Sequence, residues 1–419
     1  MKNKSIAQRN IASQLVHADR LINKPQHGAV HEATNNSVLF EFDDVADLEA
    51  VFQGKKAGHV YSRSSSGSAL ALQNILAELE GGMTAATFST GMAAISAVMF
   101  SLLQAGDHIV VSKYLFGNTR SFIDSLTRFG IKVTYVDVSS ADKVEQVIVE
   151  NTKLVFSETI ANPGTQVADL INIGKLCQRL QLLFVVDNTM TPSVMLDANT
   201  IHANLLTTSL TKYIGGHGNV LGGVVVDMGN FNWQQYDNIL DVYKNAPSEQ
   251  WGITQIRKKG LRDMGATLAP QSTHLISVGL ETLSMRMQKT SENALAIAKF
   301  LHQQAHVSTV YYPGLPDHPQ HQRAQHLFNG EFGGILSFEL EPHVNMRAFI
   351  NALDLVISAT HLGDTRTLIL PVATTIFYEN GPKQRKEMGI SETLVRMSIG
   401  IEAAEDIIDD MQQAFYLVS

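Results

Sequence analysis

Short apolar runs alternate with stretches of helical periodicity between about residues 66 and 226. Strands that alternate with helices in this way are typical of a parallel sheet with helices on both faces. Ligands bind such sheets at the carboxyl ends of the strands, so the residues after each run are candidates for function. The predicted strands are HIVVS (108–112), KVTYVDV (132–138), TKLVFSE (152–158), LLFVVDN (182–188), NLLTTSL (204–210) and GGVVVD (222–227).

The pattern also predicts elements on either side of this region. Asp43 or Asp44 is suited to cap a helix that ends near Gly54, and two successive helices begin near Pro270. Further short strands alternate with helices from residue 308 onward, which predicts a smaller C-terminal α/β domain. We therefore expect an N-terminal segment (1–65), a main α/β domain (66–255) and a C-terminal domain (256–419).

Composition excludes several classes of protein. The 419 residues carry a net charge of -8 without a basic cluster, which argues against nucleic-acid binding. The N-terminus has no apolar signal core and the chain has no span of about 18 apolar residues, so we expect a cytoplasmic protein without a membrane segment. The single Cys177 excludes an internal disulfide. His318, His321 and His326 lack helical ligand spacing, so we expect no metal site.

Lys212 lies in the segment TTSLTKYIGGHG (207–218), among hydroxyl side chains and glycines. A solvated lysine needs no such setting, whereas a lysine that forms an imine needs a lowered pKa and room for a ring. Asp187 ends a neighbouring predicted strand, although by itself it is equally consistent with a helix cap or a loop. Together the two residues are what pyridoxal phosphate requires: a lysine for its aldehyde and an aspartate that keeps its ring nitrogen protonated.

Residues 89–92 (STGM) lead directly into an amphipathic helix. The free amides at such a helix start favour an anion, and glycine lets a phosphate approach closely. Serine and threonine are also ordinary helix caps, so this signal is not specific alone. Ser209 and Thr211, on either side of Lys212, add hydroxyl donors.

Upstream, Tyr61 and Arg63 project to the same side of an extended segment, and arginine is suited to bidentate phosphate binding. Across residues 58 to 402 the sequence resembles the Cys/Met metabolism enzymes that depend on pyridoxal phosphate. These include cystathionine γ-synthase, cystathionine and methionine lyases, and homoserine-ester sulfhydrylases. The motifs that carry the resemblance are, in family order, YSR (61–63), LAELEGG (76–82), STGMAA (89–94), GDHIVVS (106–112), ETIANP (158–163), VVDNT (185–189), SLTKYIGGHG (209–218) and MGISETLVRMSIGIE (388–402).

The resemblance implies the aspartate-aminotransferase-like fold, known as fold type I, and a role for each matching residue. Lys212 would bind the cofactor's aldehyde, Asp187 would pair with its ring nitrogen, and Asn162 would lie beside its ring oxygen. Arg396 would bind the substrate's α-carboxylate. The phosphate would be held by the amides of Gly91 and Met92, the hydroxyls of Ser209 and Thr211, and Tyr61 and Arg63 of the partner subunit. The implied assembly is a tetramer built from two dimers with shared active sites.

Some positions depart from the family pattern. Phe116, in LFGNTRSF (115–122), stands where many members have a tyrosine that stacks on the cofactor and assists departure of the γ-substituent. Phenylalanine keeps the stacking and loses the phenol. This form is similar to bacterial O-succinylhomoserine sulfhydrylases, and Asn118 replaces the cysteine of typical methionine γ-lyases. His361 replaces a serine near the substrate, where it is either a substrate contact or a hydrogen-bonded loop residue.

We expect the protein to replace the γ-substituent of an O-acylated homoserine with a sulfur nucleophile, using Lys212 as the base. The alternative within the family is a methionine or cystathionine γ-lyase. A third possibility is a protein that binds pyridoxal phosphate without catalysis. It is favoured only by segment 361–371, in which His361, Arg366 and Leu370 depart from the family pattern. The sequence leaves open which ester and which nucleophile are used.

Overall fold

Two β-sheets organise the chain in a computed structural model that describes residues 5–21, 24–25 and 28–418. The larger sheet has seven strands in the order β1-β7-β6-β5-β4-β2-β3. All six strands that were predicted between residues 108 and 227 belong to it. Its strands are β1 (Thr84–Phe88), β2 (His108–Ser112), β3 (Lys132–Val136), β4 (Thr152–Glu158), β5 (Leu183–Asp187), β6 (Leu205–Thr208) and β7 (Gly223–Asp227).

The sheet is mostly parallel, as predicted, but β7 is an exception. Strands β2 to β6 pair in parallel, whereas β7 runs antiparallel to both β1 and β6. The connection from Thr208 to Gly223 contains turns and no helix, so the chain returns without the long crossover that a parallel pair needs. This connection carries Lys212 at the carboxyl end of β6.

Alternate residues of each central strand face two separate hydrophobic cores. In β5, Phe184 and Val186 pack in one core and Leu183 and Val185 in the other, and all four side chains are fully buried. Helices cover both faces, which explains why these strands are continuous apolar runs in the sequence.

The helices predicted near Asp44 and Pro270 are present. Asp44 caps α2 by accepting a hydrogen bond from the Ala46 amide (2.8 Å), and Pro270 begins the first of two successive helices. The helices are α1 (Ile11–Val16), α2 (Val45–Phe52), α3 (Gly67–Leu79), α4 (Gly91–Leu102), α5 (Gly117–Ser125), α6 (Ala141–Glu145), α7 (Leu170–Leu180), α8 (Trp251–Gln255), α9 (Pro270–Glu281), α10 (Leu283–His302), α11 (His321–Leu327), α12 (Met346–Asn351), α13 (Gly381–Glu387) and α14 (Ala404–Val418).

The smaller sheet forms the predicted C-terminal α/β part, in the order β10-β11-β12-β9-β8. A π-helix, Ile256–Asp263, continues directly from α8, so the predicted limit at 255–256 falls within one helical run, and the domain limits stay a prediction. The strands of this sheet are β8 (Val307–Tyr311), β9 (Ile335–Leu340), β10 (Ile357–Ser358), β11 (Leu368–Pro371) and β12 (Leu394–Ser398).

None of the helices in the described part of the chain has both the length and the apolar character that crossing a bilayer requires. Within the same residues, no three His, Cys, Asp or Glu side chains are grouped so that they could hold a metal ion. The cytoplasmic location stays a prediction from the sequence.

Candidate active site

The carboxyl ends of β4, β5 and β6 open onto a cavity of about 480 Å³. Strand β12 of the smaller sheet supplies part of the opposite wall. Nine of the predicted site residues share this cavity, whereas Tyr61, Arg63 and His361 are not part of its lining. The nine are Gly91, Met92, Phe116, Asn162, Asp187, Ser209, Thr211, Lys212 and Arg396.

Lys212 lies in a tight turn that follows β6. Its amide donates to the Ser209 carbonyl (3.1 Å), and its own carbonyl accepts from the Gly216 amide (2.8 Å). These bonds reverse the chain directly after the strand and leave the lysine side chain in the cavity.

Arg286, in α10, holds this turn from behind. Its guanidinium donates to the carbonyls of Tyr213 (2.5 Å), Ile214 (3.3 Å) and Gly279 (2.6 Å). No acidic side chain among the described residues pairs with it, and burial lowers the pKa of Arg286 to about 10. Its Nε also donates to Thr282 Oγ1 (3.0 Å). Neutral oxygen atoms therefore satisfy a buried cation whose position fixes the turn that carries Lys212.

We expect Gly216→Ala to lower the free energy of unfolding by about 2 kcal/mol or more. Gly216 has a φ of +72°, and an added Cβ would lie 2.1 Å from Arg286 Nη1, so the guanidinium must leave its carbonyl partners. The control is Gly265→Ala, because Gly265 has a φ of +79° with nothing within 4 Å of the added Cβ. Denaturant unfolding measures both variants, and equal losses would show that the Arg286 contacts contribute nothing.

The charge on Lys212 has no acidic partner in the described structure. Its Nζ lies 3.3 Å from His361 Nδ1. Burial, together with the positive charge of Arg396, lowers the pKa of Lys212 to about 8. A lowered pKa increases the fraction of neutral amine near neutral pH, which is the form that attacks an aldehyde.

Two carboxyl groups lie side by side at the ends of β4 and β5. Glu158 and Asp187 are register partners in this parallel pair, and both line the cavity. Burial raises the pKa of both groups, and the neighbouring Asp187 charge helps to raise the pKa of Glu158 to about 8. A cationic ring nitrogen beside Asp187 would relieve this repulsion and favour the ionised carboxylate.

Sequence analysis missed Glu158. Its Oε1 accepts a hydrogen bond from the Phe116 amide (2.9 Å), and its carboxylate also accepts from the Asn162 amide. Glu158 therefore ties together two loops that were predicted to contact the cofactor. The signal was present, because Glu158 ends its buried strand just as Asp187 does.

Helix α4 begins at the cavity wall. Thr90 caps it by accepting from the Ala93 amide (3.0 Å), and the amides of Gly91 and Met92 belong to the first turn, which has no helical acceptors. A Cβ added at Gly91 would lie 2.7 Å from Ser209 Cβ. Glycine thus allows the helix start and the Ser209 segment to meet at one point, as a phosphate site requires.

The hydroxyl groups of Thr211 and Thr189, at this end of the cavity, already have hydrogen-bond partners. Thr211 Oγ1 donates to the Gly222 carbonyl (3.2 Å) and accepts from the Gly222 amide (3.0 Å). To donate to a phosphate it would give up its bond to that carbonyl. Thr189, which the sequence analysis did not select, links Asp187 to this end: its amide donates to Asp187 Oδ1 (2.9 Å), and its hydroxyl accepts from the Ser209 amide (2.8 Å).

Arg396 is buried at the opposite wall, with an exposed fraction of 1%. Its guanidinium donates to Asn162 Oδ1 (3.4 Å) and to the carbonyls of Thr360 (3.1 Å) and His361 (3.0 Å). Its Nε is buried without a hydrogen-bond partner. No carboxylate of the described chain pairs with it, so a substrate carboxylate entering the cavity would supply the missing negative charge.

The segment after β12 is fixed by the same helix that holds the Lys212 turn. Asn293, in α10, donates to the carbonyls of Gly400 (3.1 Å) and Glu402 (2.7 Å). Arg286 and Asn293 therefore connect one helix to both walls of the cavity.

Tyr61 and Arg63 lie outside the cavity of their own chain. Both are exposed, Tyr61 by 44%, and the Arg63 guanidinium lies 5.5 Å from the centre of the Tyr61 ring. Their predicted contact with the phosphate is therefore absent within a single chain.

Together, these features fit pyridoxal phosphate. The cavity lining has an amine with a lowered pKa, a carboxyl group that a cationic ring would stabilise, and a helix start that glycine allows to lie against Ser209. Phe116 also lines the cavity and offers an apolar ring face.

Comparison with known proteins agrees with this arrangement. A Campylobacter jejuni crystal structure in which one lysine is N'-pyridoxyl-lysine-5'-monophosphate superposes with a TM-score of 0.92 at 29% identity, covering 97% of this chain and 100% of that one. L-methionine gamma-lyase of Fusobacterium nucleatum is 36% identical over 96% of this chain and 97% of its own length. O-acetyl-L-homoserine sulfhydrylase of Corynebacterium glutamicum is 32% identical over 99% and 98%.

The fold is that of pyridoxal-phosphate-dependent enzymes of fold type I. Residues 12–416 match the family model described as Cys/Met metabolism PLP-dependent enzyme. The chain belongs to this family, whose members act in transsulfuration and methionine metabolism as transferases or carbon-sulfur lyases.

Proposed function

We propose that the protein replaces the γ-substituent of an O-acylated homoserine with a sulfur nucleophile. The observation that carries the proposal is Phe116, which lines the cavity without a phenol. An acyl group leaves as a carboxylate, whose conjugate acid has a pKa of about 4, whereas a thiolate leaves from a thiol of pKa about 8.5 or above. A site that lacks the phenol favours the leaving group that departs without a proton.

Each residue of the cavity would have a role that follows from its position. Lys212 would hold the cofactor's aldehyde, Asp187 would keep the ring nitrogen protonated, and the first turn of α4 with Ser209 would hold the phosphate. Arg396 would bind the α-carboxylate of the amino acid and so orient its Cα toward Lys212. With the cofactor and substrate bound, the Lys212 amine would be the base that removes the Cα proton.

Bound pyridoxal phosphate supplies an acceptor for the electrons released at Cα. Lys212 can carry the proton because its lowered pKa of about 8 lies near neutral pH, where an amine can both accept and return protons. The apolar side chains of Phe116, Leu362 and Ile376 line the cavity and would limit water at the reacting carbons.

A product assay tests the proposal. With O-acetylhomoserine or O-succinylhomoserine, we expect the ester to be consumed to homocysteine in the presence of sulfide, or to cystathionine with cysteine. With methionine alone, we expect little ammonia or oxobutyrate. Rapid breakdown of methionine without use of the esters would support the γ-lyase, the second candidate, which the 36% identity to L-methionine gamma-lyase favours.

In the same assay, Phe116→Tyr should raise kcat/KM for methionine breakdown by about tenfold or more, because a phenol can protonate the departing thiolate. Turnover of the O-acyl esters should change by less than about threefold, since their leaving group needs no acid. Phe116→Leu is the control, as it removes the ring and adds no phenol. An unchanged preference between methionine and esters in Phe116→Tyr would contradict the argument from the leaving group.

We further propose a homo-oligomer with shared active sites, in which Tyr61 and Arg63 complete the phosphate site of the partner chain. Their exposure supports this, as do the exposed apolar side chains of Val45 (67%) and Phe52 (68%) in α2, which has no buried residue. Apolar side chains grouped on one segment are typical of a surface that another chain covers. The expected assembly is a tetramer of two dimers.

A further inference from the structure

His361 lies in the connection between β10 and β11, and this connection packs directly on the Lys212 turn. Its ring Nδ1 is 3.3 Å from Lys212 Nζ, and its carbonyl accepts from Arg396 (3.0 Å). Gly363, two residues on, has a φ of +74°, and a Cβ there would lie 2.7 Å from the Tyr213 amide nitrogen. The close approach of the two backbones fixes the ring against the lysine.

The surroundings of His361 determine its protonation state. Burial, then the positive charge of Lys212, and after these Arg396 and Arg366, lower the pKa of His361 to about 4 against the opposing charge of Asp364. The imidazole is therefore neutral at neutral pH. A neutral ring can face an ammonium only with an unprotonated nitrogen, so Nδ1 is the acceptor and the hydrogen resides on Nε2. Nε2 is buried and has no hydrogen-bond partner.

We propose that neutral His361 is a positioning residue, which accepts a hydrogen bond from the Lys212 amino group through Nδ1 and so directs that nitrogen toward the substrate's Cα. This role rests on the proposed function, in which Lys212 is the base. We favour this role over a direct contact with substrate, because His361 is not part of the cavity lining.

The proton balance is simple. As Lys212 removes the Cα proton, the C–H bond breaks, its electron pair remains with the substrate, and a new N–H bond forms on Lys212. The resulting Lys212 ammonium donates a hydrogen bond to His361 Nδ1. The proton stays on Lys212, because an imidazole with a pKa of about 4 does not take it from an amine with a pKa of about 8. Lys212 then has the same proton to return.

A matched pair of variants tests the proposal. His361→Asn retains an acceptor where Nδ1 lies, whereas His361→Leu fills the space without one. The pKa of Lys212 is measured in the full-length protein after removal of the cofactor, by trace acetylation with acetic anhydride between pH 6 and 11 and mass spectrometry of the Lys212 peptide. The Leu variant should lower this pKa by about one unit or more, because the ammonium loses its acceptor, and the Asn variant by less than about half a unit.

In the holoenzyme, His361→Leu should reduce kcat at least about tenfold with KM within about twofold of wild type, and Cα-deuterated substrate should show a larger isotope effect on kcat. Circular dichroism and cofactor content establish that both variants fold. An unchanged Lys212 pKa in the Leu variant, or equal losses in both variants, would overturn the proposal. The acetylation experiment uses no substrate, so its outcome is independent of whether the product assay finds γ-replacement.

Discussion

Lys212→Ala should lower turnover by at least about a thousandfold, because one substitution removes both the group proposed to hold the cofactor and the proposed base. The protein should still fold, since Lys212 makes no ion pair in the described structure and its ammonium is partly desolvated. Product formation measures the first effect, and absorbance of the imine chromophore shows whether the cofactor is still covalently bound.

Lys258→Ala is the matched control for this experiment. Lys258 is also partly buried with a pKa lowered by burial, but it belongs to the π-helix Ile256–Asp263 and does not line the cavity. Its replacement should leave turnover near wild type. Activity close to normal in Lys212→Ala would end the proposed mechanism.

Mixing two inactive variants should restore activity if the active sites are shared. Lys212→Ala and Arg63→Ala should each be nearly inactive alone when the cofactor is limiting. In a mixed dimer, one site has intact Lys212 from one chain and intact Arg63 from the other. Half of the dimers are mixed after exchange and each has one intact site of two, so activity should reach about a quarter of the wild-type value.

The control mixture contains Lys212→Ala and Asp187→Ala, because both residues line the cavity of the same chain. Each site in that mixture lacks one of them, so no activity should return. Mass spectrometry of intact oligomers establishes that the chains have exchanged. Failure of the Lys212 and Arg63 mixture under those conditions would place each active site within one chain.

Much of the fold follows from local pattern. The six apolar runs predict strands because both faces of the sheet are buried. Asp43 or Asp44, and Pro270, predict helix starts because capping and the fixed φ of proline act locally. The direction of β7 does not follow from the pattern, since a strand buried on both faces has the same run of apolar residues whether it is parallel or antiparallel to its neighbours. Only the path of the connection after Thr208 determines it.

The candidate site shows a similar division. Lys212 and Asp187 are predicted to meet because both follow strands at one edge of the sheet, and the structure places them in one cavity. Contacts between segments distant in sequence could not be predicted from the pattern. Examples are the bonds from Arg286 to the carbonyls after Lys212 and the contact of the His361 ring with the Lys212 amine. Glu158 was missed for a different reason, because a carboxyl group at a strand end is as often a cap or a loop residue as a functional group.

The two contacts made by α10 have a mechanical consequence. Arg286 and Asn293 are seven residues apart on a continuous helix, a separation of about 10.5 Å along its axis. Arg286 anchors the turn that bears the Lys212 amine, and Asn293 anchors the segment directly after β12, the strand that bears the guanidinium proposed to bind the substrate's carboxylate. The fixed length of α10 therefore sets the spacing between the Lys212 amine and the Arg396 guanidinium, which are proposed to act on neighbouring atoms of the substrate. A distortion of this helix would therefore disturb substrate binding and proton transfer together, although no residue of α10 lines the cavity.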